Sequence, residues 1–92
     1  MLETKFKEKV MADLKKLIGC WVLKTMERGR HGTPDLLICL GGKFVAIELK
    51  AAKGRATKLQ LHTLDRINSS GGYAMVANPA SWPSQFETLR LL

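Results

Sequence analysis

Asp35, Glu48 and Lys50 are the residues of this chain whose types and spacing could do chemistry. Asp35 follows Pro34 and opens an apolar run ending at Leu40, while Glu48 and Lys50 close a second run that begins at Lys43. Only Gly41-Gly42 separates the two runs, and a glycine pair between apolar segments is a hairpin signal. In a register that turns on these glycines, Leu40 meets Lys43 and Asp35 meets Glu48 directly across the strands. Two acids opposed in a sheet repel each other unless a cation sits between them. Hard oxygen donors of this kind suit magnesium or manganese, which use few carboxylates together with substrate phosphate. A lysine beside the pair can orient a water or steady charge developing on phosphorus. The combination reads as metal-assisted hydrolysis. The competing reading is a turn-capping aspartate and a solvated Glu48–Lys50 pair on an edge strand.

The elements that must position these residues follow from patterning. Phe6, Val10, Leu14 and Leu17 recur at helical spacing, with lysines on the other faces, which predicts an amphipathic helix over 3–18 ended by Gly19. Cys20 to Met26 is rich in apolar and β-forming residues and reads as a strand, followed by a glycine-punctuated basic turn. Asp35–Leu40 and Lys43–Lys50 are the hairpin strands; in the latter, Val45, Ile47 and Leu49 alternate with Phe44, Ala46, Glu48 and Lys50. Thr57 begins a helix reaching about Asn68, with Leu61, Leu64 and Ile67 as its buried stripe, and Ser69-Ser70-Gly71-Gly72 ends it. Tyr73–Asn78 is a fourth strand, and 81–92 a short amphipathic helix or irregular tail. The order α-β-β-β-α-β-α gives an α/β fold, a mixed sheet flanked by helices. Residues 1–92 form a single domain, because a second core needs roughly 50 residues of its own.

Composition narrows the partners. Hydrophobic residues at 46% and charged ones at 25% are globular proportions. Fifteen basic residues against eight acidic ones give a net charge of +7, an excess that favours nucleic acid. The excess concentrates between Arg28 and Lys58, where Arg28, Arg30, Lys43, Lys50, Lys53, Arg55 and Lys58 face only Asp35 and Glu48. No amphipathic helix runs through that stretch, which weakens a membrane-surface reading. No apolar run approaches the ~18 residues of a membrane span and the N-terminus is charged, so the expectation is a soluble, cytoplasmic protein. Cys20 and Cys39 lie in apolar surroundings as small buried hydrophobes, and with His31 and His62 they lack the paired short spacings of zinc sites. Trp21 and Trp82 read as core or interface residues.

Taken together, Gly32-Thr-Pro-Asp35, Phe44-Val-Ala-Ile-Glu48-Leu-Lys50, Gly54-Arg-Ala-Thr-Lys-Leu-Gln60 and Gly71-Gly72-Tyr-Ala-Met-Val resemble the VRR-NUC domain of the PD-(D/E)XK nuclease superfamily. The match looks like the compact stand-alone versions found in bacteriophages and prophages, which implies the cytoplasm of a bacterial host. The resemblance implies a restriction-endonuclease-like core and a Mg²⁺- or Mn²⁺-dependent endodeoxyribonuclease. Asp35 and Glu48 would bind the ion with the backbone carbonyl of Leu49, and Lys50 would act on the attacking water. Glu3 matches the family's acid near the start of the first helix, with Glu8 as competitor, and either also reads as a favourable charge in a helix's first turns. Gln60 matches the family's glutamine facing the site, yet Thr57-x-x-Gln60 is equally a capping box. Arg28, Arg30 and His31 before Pro34, and Lys53, Arg55 and Lys58 after the Glu-x-Lys strand, are the expected DNA contacts.

Small members of the family resemble junction-resolving enzymes, which implies action on branched DNA, a four-way junction, by a homodimer with two dyad-related sites. No small-molecule cofactor is implied. Flap or single-strand nicking is the enzymatic alternative, and a non-catalytic nucleic-acid-binding module on the same fold the non-enzymatic one.

Overall fold

A computed structural model describes residues 3–26 and 32–92. The expected DNA contacts Arg28, Arg30 and His31 lie outside the described residues. The elements are α1 (Glu3–Leu14), β1 (Cys20–Lys24), β2 (Leu36–Leu40), β3 (Lys43–Leu49), α2 (Lys58–Ser69), β4 (Tyr73–Ala77) and α3 (Trp82–Arg90). The four strands lie in the order β1-β2-β3-β4, antiparallel except for the parallel β3–β4 pair. The expected element order and mixed sheet are both present. No helix among the described residues is long and apolar enough to cross a membrane.

The hairpin joins Leu40 to Lys43 through Gly41 (φ 57°) and Gly42 (φ 83°). A two-residue turn with positive φ at both positions matches the twist of the strands it connects, and glycine reaches it without a Cβ penalty. This turn sets the register of β2 against β3 and therefore everything at their far end. β3 then passes through α2 to β4, the crossover that a parallel pair requires.

The sheet's two faces are covered unequally. On one, Phe6, Val10 and Leu14 of α1 and Trp82 and Leu89 of α3 bury Leu36, Ile38, Leu40, Val45, Ile47, Leu49, Met75 and Ala77. Each of the larger side chains contributes about 1.5–3 kcal/mol by leaving water. α3 is anchored to α1 by a buried hydrogen bond in which Trp82 Nε1 donates to Asp13 Oδ2 at 2.8 Å. Burial alone would push the Asp13 carboxyl up. The hydrogen bonds from Trp82 and Lys9 and the charges of Lys9 and Lys16 outweigh it and hold it below its ordinary 3.8. On the other face α2 packs over β3 and β4, where Leu64 meets Ala46 and Ala74.

Several boundaries and burials differ from the sequence reading. α1 ends at Leu14 rather than 18, because the backbone tightens to bonds from Lys16 to Asp13 and from Leu17 to Leu14. β1 ends at Lys24, β3 at Leu49 and β4 at Ala77, one or two residues short of expectation. Residues 82–90 are helical, not an irregular tail. Leu61 is 51% exposed and not part of the α2 stripe, since only Leu64 and the half-buried Ile67 turn toward the sheet. Cys39 is exposed and Cys20 half-buried, and both thiols are free. Trp21 and Cys39 are partners across β1 and β2, on the sheet half that α2 leaves open. Trp21 is accordingly exposed, whereas Trp82 is core.

Candidate active site

Asp35 is the residue immediately before β2, and the ladder Leu36↔Ile47, Leu37↔Ala46 continued by one step sets it opposite Glu48. Thr25, just past β1, fixes the Asp35 backbone: its amide donates to the Asp35 carbonyl at 2.9 Å and its hydroxyl to the Pro34 carbonyl at 2.6 Å. The Asp35 side chain is held from the other strand, where the Leu49 amide donates to Oδ2 at 2.8 Å. An extended residue carries its N–H and C=O toward the same neighbouring strand, so the Leu49 carbonyl faces the Asp35 side of β3. The next amide, of Lys50, points the other way and donates to the Ala77 carbonyl at 2.9 Å. Lys50 is thereby fixed to β4 just past the end of the β3 strand.

Glu48 is only 3% exposed. Its Oε2 accepts from Gln60 Nε2 at 3.0 Å and lies 3.4 Å from Lys50 Nζ. Its Oε1 is buried with no hydrogen-bond partner among the described residues. A charged oxygen in that state costs free energy unless something positive reaches it. Burial raises the Glu48 pKa first, and the charge of Asp35 raises it further against the opposing pull of Lys50, from the ordinary 4.5 to about 7. Two carboxylates pressed together, one with an orphaned oxygen, fit a hard divalent cation in place of a proton.

Gln60 satisfies both of the roles that its sequence position left open. Its Oε1 accepts from the Thr57 amide at 2.8 Å while its own amide donates to Thr57 Oγ1 at 3.1 Å, the reciprocal capping box of α2. Its Nε2 is left to reach Glu48. One side chain therefore starts the helix and positions the acid.

The remaining expected residues are more dispersed. Lys53, Arg55 and Lys58 are exposed on the segment leading from β3 into α2. Glu3 and Glu8 are exposed on α1. Among the described residues no group of three His, Cys, Asp or Glu side chains converges, so Asp35 and Glu48 stand as a pair. His62 lies exposed on α2. The Leu49 amide contact is the feature that residue types did not announce; the hairpin register was its available signal, because it places Leu49 diagonal to Asp35.

No protein-family model matches the chain, and no curated protein matches it. Among solved structures, one described as a VRR_NUC domain superposes with a TM-score of 0.75 at 26% identity, over 95% of this chain and 91% of that one. A second, Hjc of Archaeoglobus fulgidus, described as a Holliday junction resolvase from an archaeal hyperthermophile, superposes with a TM-score of 0.62 at 23% identity. It spans 82% of this chain and 66% of that chain. With its mixed four-stranded sheet between helices, the chain has the VRR-NUC type of PD-(D/E)XK nuclease fold, the restriction-endonuclease-like architecture.

Proposed function

We propose that this chain, built on the VRR-NUC fold, is a Mg²⁺- or Mn²⁺-dependent endonuclease that hydrolyses phosphodiester bonds in branched DNA, a four-way junction above all. The observation that carries this reading is the buried Glu48 carboxylate set opposite Asp35, with one oxygen orphaned and the other shared between Lys50 and Gln60. The superposition on a Holliday junction resolvase supports the choice of substrate. The net charge of +7 supports an anionic polymer as partner.

Asp35, Glu48 and the Leu49 carbonyl would hold the ion; Glu3, exposed on α1, is the further acid that the family resemblance offers. When bound, such an ion polarises the phosphate and lowers the cost of charge in the transition state. The chain's own residues do the rest. The Leu49 amide and Gln60 orient the two carboxylates from either side. Lys50, 19% exposed at its side chain, holds its ammonium where it can orient an attacking water and offset negative charge on phosphorus. Lys53, Arg55 and Lys58 take the phosphates flanking the scissile bond without reading bases. A homodimer with two dyad-related sites would place one cut on each of two strands of a junction, in the cytoplasm of a bacterial host.

The test is incubation of the purified protein with a labelled four-way junction, a flap and a matched duplex in EDTA, Mg²⁺ or Mn²⁺, alongside Glu48→Gln, with light scattering to count subunits. Metal-dependent paired cuts on the junction, absent in Glu48→Gln, are the expected result. Cutting of the flap alone would move the substrate. Binding without cutting in any metal would replace the nuclease with a binding module.

A further inference from the structure

A groove of about 610 Å³ opens at the opposite end of β3 from Glu48, within the size range that holds a nucleotide-sized ligand. Phe44 and Ile67 are its apolar side chains, and Lys43, Arg66 and Thr63 line it with polar ones. No acid lines it. Neither Lys43 nor Arg66 makes a salt bridge among the described residues. Phe44 is 46% exposed, yet its ring is held. A Cβ at Gly72 would lie 2.7 Å from Ile67 Cγ2 and 3.2 Å from Phe44 Cδ2, so the bare backbone of Gly72 leaves room for the Phe44 ring, which keeps nearly half of its surface exposed.

The groove is in line with Glu48. Phe44 and Glu48 project to the same face of β3, four residues apart, which is about 13 Å along an extended strand. α2 runs alongside, with Gln60 beside Glu48 and Ile67 lining the same groove as Phe44. A half-exposed aromatic ring flanked by cations is the combination that holds a base and its phosphates.

We infer that the groove is a subsite for unpaired nucleotides of the DNA strand, with a base stacked on Phe44 and adjacent phosphates on Lys43 and Arg66. This deepens the nuclease reading and rests on DNA being the ligand. A separation of about 13 Å corresponds to about four nucleotides of duplex-like strand, at roughly 3.4 Å each, and fewer if the strand is stretched. The subsite therefore selects DNA that is unpaired a few nucleotides from the scissile bond, as at a branch point or flap, over continuous duplex.

The test is binding in EDTA, where no cutting occurs, to a fluorescent single-stranded oligonucleotide and to a blunt duplex. Phe44→Leu keeps the apolar contact with Gly72 and Ile67 and is checked by thermal melting. It is expected to weaken single-strand binding by about 5- to 50-fold with the duplex nearly unchanged, while Phe44→Trp retains wild-type binding. Lys43→Ala and Arg66→Ala are each expected to lower the slope of log K against log salt on the single strand by about 0.7. Equal binding of both DNAs by wild type and Phe44→Leu would overturn the subsite, as would a loss of the same size on the duplex. These readouts are separate from cleavage: a protein that cuts junctions but ignores Phe44→Leu refutes only the subsite. One that cuts nothing yet loses single-strand binding refutes only the nuclease.

Discussion

The amide of Leu49 donates to Oδ2 of Asp35 at 2.8 Å, so the backbone of the strand that carries Glu48 also holds the carboxylate opposite it. The two acids are kept side by side by β-sheet geometry. The repulsion between them is built into the hairpin and is what a cation would relieve.

Asp35→Asn tests that arrangement. The amide oxygen still accepts from Leu49 while the charge beside Glu48 is gone, so the metal-free variant should melt at or above the wild-type temperature. Cleavage should fall by about 10²- to 10³-fold or more, and the thermal shift that Mn²⁺ gives the wild type should vanish. A variant that melts lower in EDTA, or keeps its Mn²⁺ shift, would contradict the opposed-carboxylate account.

Thr57 and Gln60 separate capping from positioning. Thr57→Ala and Gln60→Ala each remove part of the α2 cap and should each cost about 1 kcal/mol in denaturant unfolding. Only Gln60→Ala also frees Glu48 Oε2. It alone should weaken Mn²⁺ binding measured by calorimetry and shift the dependence of cleavage on metal concentration. Equal metal affinities in the two variants would reduce Gln60 to a cap.

The raised pKa of Glu48 has a signed consequence for stability. Its folded value of about 7 exceeds the ordinary 4.5, so between these values the native state binds the extra proton. This contribution to stability is present below about pH 4.5 and is lost as pH rises through 7. In EDTA, wild type relative to Glu48→Gln should therefore lose stability from about pH 5 to 8 and level off above. Parallel stability profiles for the two proteins across that window would show that the carboxylate is not destabilised by its surroundings.

The Asp13–Trp82 bond should matter to the fold and not to the chemistry. Asp13→Ala leaves the Trp82 indole N–H buried without its 2.8 Å acceptor, at a cost of about 1–3 kcal/mol. At roughly 4–8 °C per kcal/mol for a domain of this size, melting should drop visibly. Mn²⁺ affinity and DNA cleavage at low temperature should stay at wild-type levels; a loss of either would tie α1 and α3 to the active site.

Much of this was legible from the chain alone, for a local reason. Hairpin register depends on two adjacent glycines, and strand alternation is a property of neighbouring residues. Asp35 opposite Glu48, and Lys50 beside it, could therefore be placed by counting. The helix starting at Thr57 was legible for the same reason, because a capping box lies within one turn. Residues 82–90 were less so: their pattern is apolar enough for a helix, but what makes it stable is Trp82 buried against α1, 69 positions away.

Features made by elements distant in sequence could not be read in this way. Whether Gln60 caps its helix or faces the acid could not be read from spacing, since both answers need the packing of α2 over β3, and that packing lets one side chain do both. Exposure of Leu61, Trp21 and Cys39 follows from α2 covering only half of its sheet face, a choice that residue type does not encode. The orphaned Glu48 oxygen belongs to the same class. Which acids meet follows from a two-glycine turn, because register is local. How deeply they would be buried, and hence how strongly they call for a cation, depended on layers of the fold that meet only when the whole chain has closed.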